Sequence, residues 1–328
     1  MTHHETPASE TASRPAVAGG ALRPAVILGG NRIPFARANT AYAEVGNQEM
    51  LTATLDGLVA RFGLQGERLG QVTAGAVLKH PRNFNLTREA VLGSALSAAT
   101  PAADVQVACA TGMEALGTLA NKIRLGQLDS AIGGGVDSIS DAPVSLSDGA
   151  RRVLLQLNTA KTMKDRLRAL AQLRPGQLVP EPAGAGEPRT GMSMGEHQAL
   201  TTHKWGITRQ AQDELAAASH RNLGAAYAAG YMDDLVTPFH GLARDNNLRP
   251  DSTPEKLAGL KPAFGRQLGD EATMTAGNST PLTDGASAVL LASEEWAAEH
   301  KLPVRAYLVD SETASVDFIH GKEGRNPD

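Results

Sequence analysis

Apolar runs of strand length alternate with segments of helical period from Pro24 to about Ser138, and this alternation limits the folds open to the chain. The predicted order is strand 24–29, helix 48–62, strand 72–78, helix 86–97, strand 105–108, a helix after Cys109 and strand 130–133. Strands that alternate with helices form parallel βαβ units, and the helices cover both faces of the sheet. We therefore predict an α/β protein.

The alternation stops near Ser138 and returns near Ala286. The segment 138–271 is rich in proline, glycine and charged residues, with helical patterns at 150–173 and 208–229. A connection of this length without structure of its own is rare, so we predict an inserted domain. Strand 286–292, helix 294–300 and strand 304–309 are predicted to follow it.

The composition excludes several classes of protein. Hydrophobic residues make up 41% of the chain and its net charge is -4, which suits a packed protein and gives no reason to expect nucleic acid as a partner. A single cysteine excludes an intramolecular disulfide and fits a reducing cytoplasm. No stretch has the apolar length of a transmembrane helix. Residues 1–22 are small and polar, and we expect a flexible leader there instead of a secretory signal.

The single cysteine, Cys109, lies between a predicted strand and a predicted helix. The unpaired N–H groups and the dipole at a helix start favour thiolate over thiol, and the same N–H groups can hold an oxyanion. Thr111 and Glu114 have the spacing of a capping box at that start. The placement fits a nucleophile, and it fits equally a small buried residue, since free cysteine packs as a hydrophobe.

Four segments resemble segments of the thiolase family, in the same order. They are Val107-Ala-Cys-Ala-Thr-Gly-Met-Glu-Ala, Ala131-Ile-Gly-Gly-Gly-Val-Asp-Ser-Ile-Ser, Gly191-Met-Ser-Met-Gly-Glu-His and Thr275-Ala-Gly-Asn-Ser-Thr-Pro-Leu-Thr-Asp-Gly-Ala. The resemblance extends from Pro24 to the C-terminus and is strongest to the β-subunit type found in trifunctional β-oxidation complexes. It implies a layered αβαβα fold with Cys109 as the nucleophile.

The thiolase fold consists of two similar halves, and the resemblance assigns parts of this chain to them. Residues 23–137 and 272–302 correspond to the N-terminal half, 138–271 to an inserted loop domain, and 303–328 to the start of a C-terminal half that is truncated. The family segments His-Glu-Ala-Phe, Gly-His-Pro and Cys-x-Gly-Gly-Gly, which supply an oxyanion-hole residue, a base and a second cysteine, have no counterpart in the 328 residues.

The resemblance also implies a site for coenzyme A. Met194 aligns with the family methionine that lines the acyl–thioester pocket, and Thr280 aligns with a serine that contacts the pantetheine arm. Ser193 falls where many biosynthetic thiolases carry a histidine that faces the coenzyme, so that contact is altered or absent; a turn residue is the alternative for both Met194 and Ser193.

Other polar and glycine residues are expected to have structural roles at this site. The run Gly133, Gly134 and Gly135 lacks the lysine and spacing of a P-loop, so we expect it to allow close backbone packing near the nucleophile. Asn278 and Asp284 are expected to fix loops through bonds to the backbone. The histidines have no zinc-type spacing, and we expect neither a metal nor a redox cofactor.

The segment 150–173 is basic and amphipathic. Such a helix can lie on an anionic membrane or dock on a partner, and it can equally be a solvated charged face over a local core. The resemblance favours contact with the membrane or with a hydratase/dehydrogenase α-subunit.

Taken together, the residues and the resemblance predict a 3-ketoacyl-CoA thiolase, an acyl-CoA:acetyl-CoA C-acyltransferase of fatty-acid β-oxidation. The reaction would be ping-pong through an acyl-Cys109 thioester, with coenzyme A as a substrate, in a cytoplasmic homodimer. One alternative is a catalytically incomplete fragment that serves as a binding or assembly subunit. Another is a ketosynthase-type condensing enzyme, against which the block 278–286 and the large insertion argue. Acyl-chain length and direction are left open.

Overall fold

The computed structural model describes residues 22–184 and 186–315. The predicted leader, apart from Leu22, and residues 316–328 of the predicted C-terminal segment lie outside the described residues. The strands are β1 (Val26–Arg32), β2 (Ala36–Arg37), β3 (Gln71–Ala74), β4 (Ala102–Asp104), β5 (Ser130–Asp137), β6 (Val144–Ser145), β7 (Glu181–Pro182), β8 (Thr283–Ala292) and β9 (Ala306–Tyr307). The α-helices are α1 (Asn47–Phe62), α2 (Leu86–Gly93), α3 (Thr111–Arg124), α4 (Asp148–Thr159), α5 (Met163–Leu170), α6 (Met194–Lys204), α7 (Arg209–Ala228), α8 (Pro254–Ala258) and α9 (Glu294–Glu299). Short 3₁₀ turns occupy Pro81–Asn83, Pro175–Leu178 and Arg266–Glu271.

The main sheet has the strand order β4-β3-β5-β8-β1-β9, with β2 paired to β8. β3 runs parallel to β4 and β5, as the βαβ pattern predicts. β8 is antiparallel to both β5 and β1, so the sheet is mixed. The physical reason is that β8 follows the long segment 138–271 instead of a short crossover helix, and it enters between two strands that point the same way.

Helices cover both faces of the sheet, as predicted. On one face, Ile132 and Leu290 belong to the core that contains Leu55 and Leu58 of α1. On the other face, the neighbouring residues Ala131 and Leu291 pack with Leu119, Ala120 and Ile123 of α3. Successive strand residues thus face opposite helix layers, as the period of two requires.

Several elements differ from the predicted boundaries. The strand predicted at 105–108 lies at β4 instead, because the amide of Val107 is used by the side chain of Thr111 and not by a strand partner. The helical stretch 150–173 is divided into α4 and α5, since the Thr162 hydroxyl accepts a bond from the Asp165 amide and starts a new helix. Among the described helices, none is long and apolar enough to cross a membrane.

The segment 138–271 is joined to the sheet through β1. Arg32 donates two bonds, of 2.7 and 2.8 Å, to the carboxylate of Asp245, and the amide of Thr237 donates to the Arg32 carbonyl at 2.9 Å. The side chains of Arg32 and Asp245 are both largely buried. A buried ion pair with this geometry holds the segment in one position against the strand.

Candidate active site

Cys109 lies in the turn between β4 and α3 and is exposed. It lines a pocket of about 280 Å³ at the carboxyl ends of the parallel strands β3, β4 and β5. The other lining residues are Phe35, Gly75, Ala108, Thr111, Gly112, Gly135, Val136, Asp137, Thr283, Gly285, Ala286 and Ser287. The carboxyl edge of parallel strands is the common position for a site in an α/β protein.

The first turn of α3 faces this pocket through Gly112. No side chain caps the helix start, where Ala110 is the N-cap residue. Backbone N–H groups in a first turn have no acceptor within the helix, so this turn can donate to an oxyanion that forms at a substrate carbonyl next to Cys109. The buried alternative for Cys109 is wrong, because its side chain is open to the pocket.

The capping box predicted for Thr111 and Glu114 is wrong. Thr111 is already the first residue of α3, so its side chain turns back toward the preceding turn. Its hydroxyl accepts from the Val107 amide at 2.9 Å and donates to the Ala108 carbonyl at 2.7 Å. The Glu114 carboxylate instead accepts from the hydroxyls of Thr118 and Thr313.

Two glycines of the β5 run, Gly133 and Gly134, lie against their neighbours without room for side chains. A Cβ on Gly133 would lie 2.7 Å from Cδ2 of Leu116 in α3, and one on Gly134 would lie 2.4 Å from the carbonyl oxygen of Ser287 in β8. Gly135 lines the Cys109 pocket, where a Cβ would lie 3.9 Å from the Gly112 amide nitrogen. The run therefore lets α3 and β8 approach the strand on which the pocket floor is built.

Asp137 is a pocket residue that sequence reasoning missed. Its carboxylate accepts from the amides of Val77 and Leu78, each at 2.9 Å, and so fixes the loop after β3. Burial raises the pKa of this carboxyl above its ordinary value, and the two N–H donors act in the opposite direction. The sequence could have indicated Asp137, because alternate residues of a strand share one face and Asp137 follows Gly133 and Gly135 on that face.

The residues expected to contact coenzyme A lie elsewhere on the described surface. Met194 is exposed at the first position of α6, and Thr280 is exposed in the loop before β8. Ser193 is the N-cap of α6, where it exchanges bonds with Glu196 in a capping box. In the part of the chain that the structure describes, none of the three lines the Cys109 pocket.

The loop that carries Thr280 is fixed by Asn278 and α7. The Asn278 amide group accepts from the Thr275 amide at 2.7 Å and donates to the buried carboxylate of Asp213 at 2.9 Å. Asp213 in turn accepts from Arg209 at 2.8 Å. Asp284 has a similar role, since its carboxylate accepts from the amides of Ile139 and Ser140.

None of the histidines in the described part of the chain lines the Cys109 pocket. His240 contacts Glu49 at 2.6 Å, and Nε2 of His197 lies 2.9 Å from the Thr190 hydroxyl. Across residues 22–184 and 186–315, no cluster of three or more His, Cys, Asp or Glu side chains could hold a metal ion.

Comparisons with known proteins agree on one family. Residues 25–295 match the profile described as "Thiolase, N-terminal domain". Proteins named "3-ketoacyl-CoA thiolase" from Yersinia pestis (strain Pestoides F) and Yersinia pseudotuberculosis serotype O:3 (strain YPIII) are 38% identical over 298 residues, which cover 89% of this chain and 68% of each relative. The crystal structure of the Bacillus anthracis acetyl-CoA acetyltransferase superposes with a TM-score of 0.72 and 28% identity, over 88% of this chain and 70% of that chain.

Proposed function

Because the chain belongs to the thiolase family, and is by that membership an acyltransferase, we propose that it cleaves 3-ketoacyl-CoA through an acyl intermediate on Cys109. The observation that carries this proposal is the exposed thiol in a pocket bounded by the first turn of α3 and the glycines of β5. The fatty-acid β-oxidation role is part of this proposal, which the resemblance to thiolases and the relatives named 3-ketoacyl-CoA thiolase support.

In the proposed reaction, the Cys109 thiolate attacks the keto carbonyl of the substrate. The first turn of α3 donates N–H groups to the oxyanion of the tetrahedral intermediate. The carbon–carbon bond then breaks, and acetyl-CoA leaves as its enolate and takes up a proton. A second coenzyme A thiolate attacks the acyl-Cys109 thioester, which releases the shortened acyl-CoA and restores the thiolate. Asp137 acts through the backbone, by fixing the loop after β3 beside the pocket.

Affinity labelling separates this enzyme from a thiolase-like binding or assembly subunit. Bromoacetyl-CoA and bromoacetamide alkylate the same thiol, but only the first carries coenzyme A. We expect bromoacetyl-CoA to label Cys109 about tenfold faster or more, because binding holds the reacting carbon next to the thiol. Free coenzyme A should remove that advantage without slowing bromoacetamide. Equal rates for the two reagents would contradict the proposal and favour the binding subunit.

We propose separately that the α4–α5 hairpin rests on an anionic membrane surface. The apolar side chains Leu154 and Leu155 of α4 and Met163 and Leu167 of α5 are exposed. Exposed cationic residues surround them: Arg151, Arg152, Lys161, Lys164, Arg166 and Arg168. Of these six, Arg151 and Arg152 contact the acidic Asp148, at 2.9 and 4.0 Å. Exposed leucines beside a cationic excess are typical of helices that bind at a lipid interface.

Vesicle flotation tests whether the α4–α5 hairpin binds an anionic membrane. The protein should float with phosphatidylglycerol-containing vesicles but not with phosphatidylcholine vesicles, and binding should weaken as salt is added. The double variant Leu155→Asp and Leu167→Asp should lose this binding. Leu215→Asp, at another exposed leucine that lies in α7, is the control and should retain it. Failure of the wild type to float would exclude the membrane and leave the hydratase/dehydrogenase subunit as the partner to test.

We also propose a cytoplasmic homodimer, on the basis of the family resemblance and the single cysteine. Sedimentation equilibrium of the purified chain tests the dimer, and a single monomeric species across micromolar concentrations would contradict it.

A further inference from the structure

The turn that presents Cys109 contains an unusual backbone conformation. Ala108, the residue before the nucleophile, has a φ of 44°, in the left-handed region. This region is costly for a residue with a Cβ, and a non-glycine residue remains there only when its surroundings hold it. Replacement of alanine by glycine would remove the cost. Something in the fold therefore has to hold Ala108.

The Thr111 side chain makes hydrogen bonds to the backbone of Ala108 and of the residue before it, Val107. Its hydroxyl accepts from the Val107 amide at 2.9 Å and donates to the Ala108 carbonyl at 2.7 Å. Both functions of the hydroxyl are thus used within one turn. Thr111 is buried, so water cannot readily replace these bonds.

The methyl group of Thr111 has a separate contact. A Cβ built on Gly75 would lie 3.0 Å from Thr111 Cγ2, so the methyl group packs against the backbone of Gly75 in the pocket wall. This contact fixes the side-chain rotation and keeps the hydroxyl directed at the turn. Two backbone bonds, from Ala110 to Val107 and from Thr111 to Ala108, support the turn independently of the side chain.

We propose that Thr111 is a positioning residue for Cys109. Its hydroxyl holds Ala108 in the left-handed conformation, and that conformation sets the direction in which the Cys109 thiol enters the pocket. The inference rests on the proposed function, since it assigns Thr111 a role in presenting the nucleophile. It extends that function to a residue that acts through the backbone of the turn before Cys109.

Two substitutions separate the hydroxyl from the methyl group. Thr111→Val keeps the shape and removes both hydrogen bonds, whereas Thr111→Ser keeps the hydroxyl and removes the methyl. We expect Thr111→Val to slow labelling of Cys109 by bromoacetyl-CoA about tenfold, the scale of one lost positioning interaction. Thr111→Ser should label near the wild-type rate. Labelling by bromoacetamide should change much less, because it does not require a fixed thiol direction.

A double variant distinguishes a positioning role of Thr111 from a general effect on stability. In the Thr111→Val protein, Ala108→Gly should recover part of the lost bromoacetyl-CoA rate, since glycine adopts the left-handed region without help. A Thr111→Val protein that is folded and labels at the wild-type rate would overturn the inference, as would a loss that Ala108→Gly does not relieve at all. If Thr111→Val does not fold, Thr111→Ser and Thr111→Ala decide: the inference requires a fast serine variant and a slow alanine variant, and equal rates overturn it.

The labelling rates of the wild type distinguish a failure of the Thr111 inference from a failure of the proposed function. A wild type with no preference for bromoacetyl-CoA over bromoacetamide contradicts the proposed function. A wild type with that preference, together with an unaffected Thr111→Val variant, contradicts only the role of Thr111.

Discussion

Cys109→Ser is expected to abolish acyl-enzyme formation, with a loss on the order of a thousandfold or more, and to leave the fold intact. A serine hydroxyl stays protonated at neutral pH without an adjacent base, so it is a far weaker nucleophile than a thiolate. Cys109 is exposed, so the substitution removes no buried packing. Mass spectrometry after incubation with acetoacetyl-CoA should show one added acetyl group on the wild type and none on the variant.

The control for this prediction is a second hydroxyl in the same pocket. Ser287 lines the pocket wall on β8, and Ser287→Ala should still gain the acetyl group at Cys109. Thermal denaturation of both variants should match the wild type. An acetyl group on the Cys109→Ser protein would show that the nucleophile is another residue.

Asp245→Ala is expected to lower the free energy of unfolding by about 3–5 kcal/mol. The Asp245 side chain is 4% exposed and the Arg32 side chain that it neutralises is 12% exposed. Its carboxylate also accepts from the Phe35 amide at 2.6 Å. Removal of the carboxylate leaves a buried guanidinium and a buried amide without their acceptor, which costs far more than the ion pair itself contributes. Urea denaturation followed by circular dichroism measures the loss.

A matched control for Asp245 is a second ion pair that the segment 138–271 makes with the rest of the chain. Asp234 pairs with Arg61 at a similar distance of 2.6 Å, but its side chain is 72% exposed. Asp234→Ala should therefore cost about 1 kcal/mol or less. Equal losses from the two variants would show that burial does not govern the contribution of these pairs.

The sequence predicted those parts of the fold that depend on local periodicity. The helix predicted at 48–62 is α1, because Leu51, Leu55 and Leu58 form one buried stripe. The direction of β8 could not be predicted, since a strand pattern does not record which neighbours it pairs with. The apolar residues at 105–108 predict a strand, but the hydrogen bond from the Val107 amide to the Thr111 hydroxyl turns the chain there.

The sequence predicts the site residues that belong to recognisable local segments. It does not predict the site residues that distant parts of the chain contribute. Cys109 and Gly135 belong to segments recognised by their resemblance, and the structure brings them to one pocket. Phe35 and Thr283 come from other parts of the chain, and no local pattern marks them. The spacing of Thr111 and Glu114 fits a cap as well as it fits the observed turn, and only the start of α3 decides between them. The expected roles of Met194, Ser193 and Thr280 toward coenzyme A stay predictions.

The position of β8 in the sheet has a consequence for synthesis of the chain. Of the described strands, β1 is made first, and the strands paired with it, β8 and β9, begin at Thr283 and Ala306. At roughly 5–20 residues per second, the ribosome needs tens of seconds to reach them. During that time β1 and the facing edge of β5 have unpaired backbone groups, and edges of this kind bind other strands. The nascent protein therefore has its longest exposure to misassembly and to chaperones before its central strand emerges.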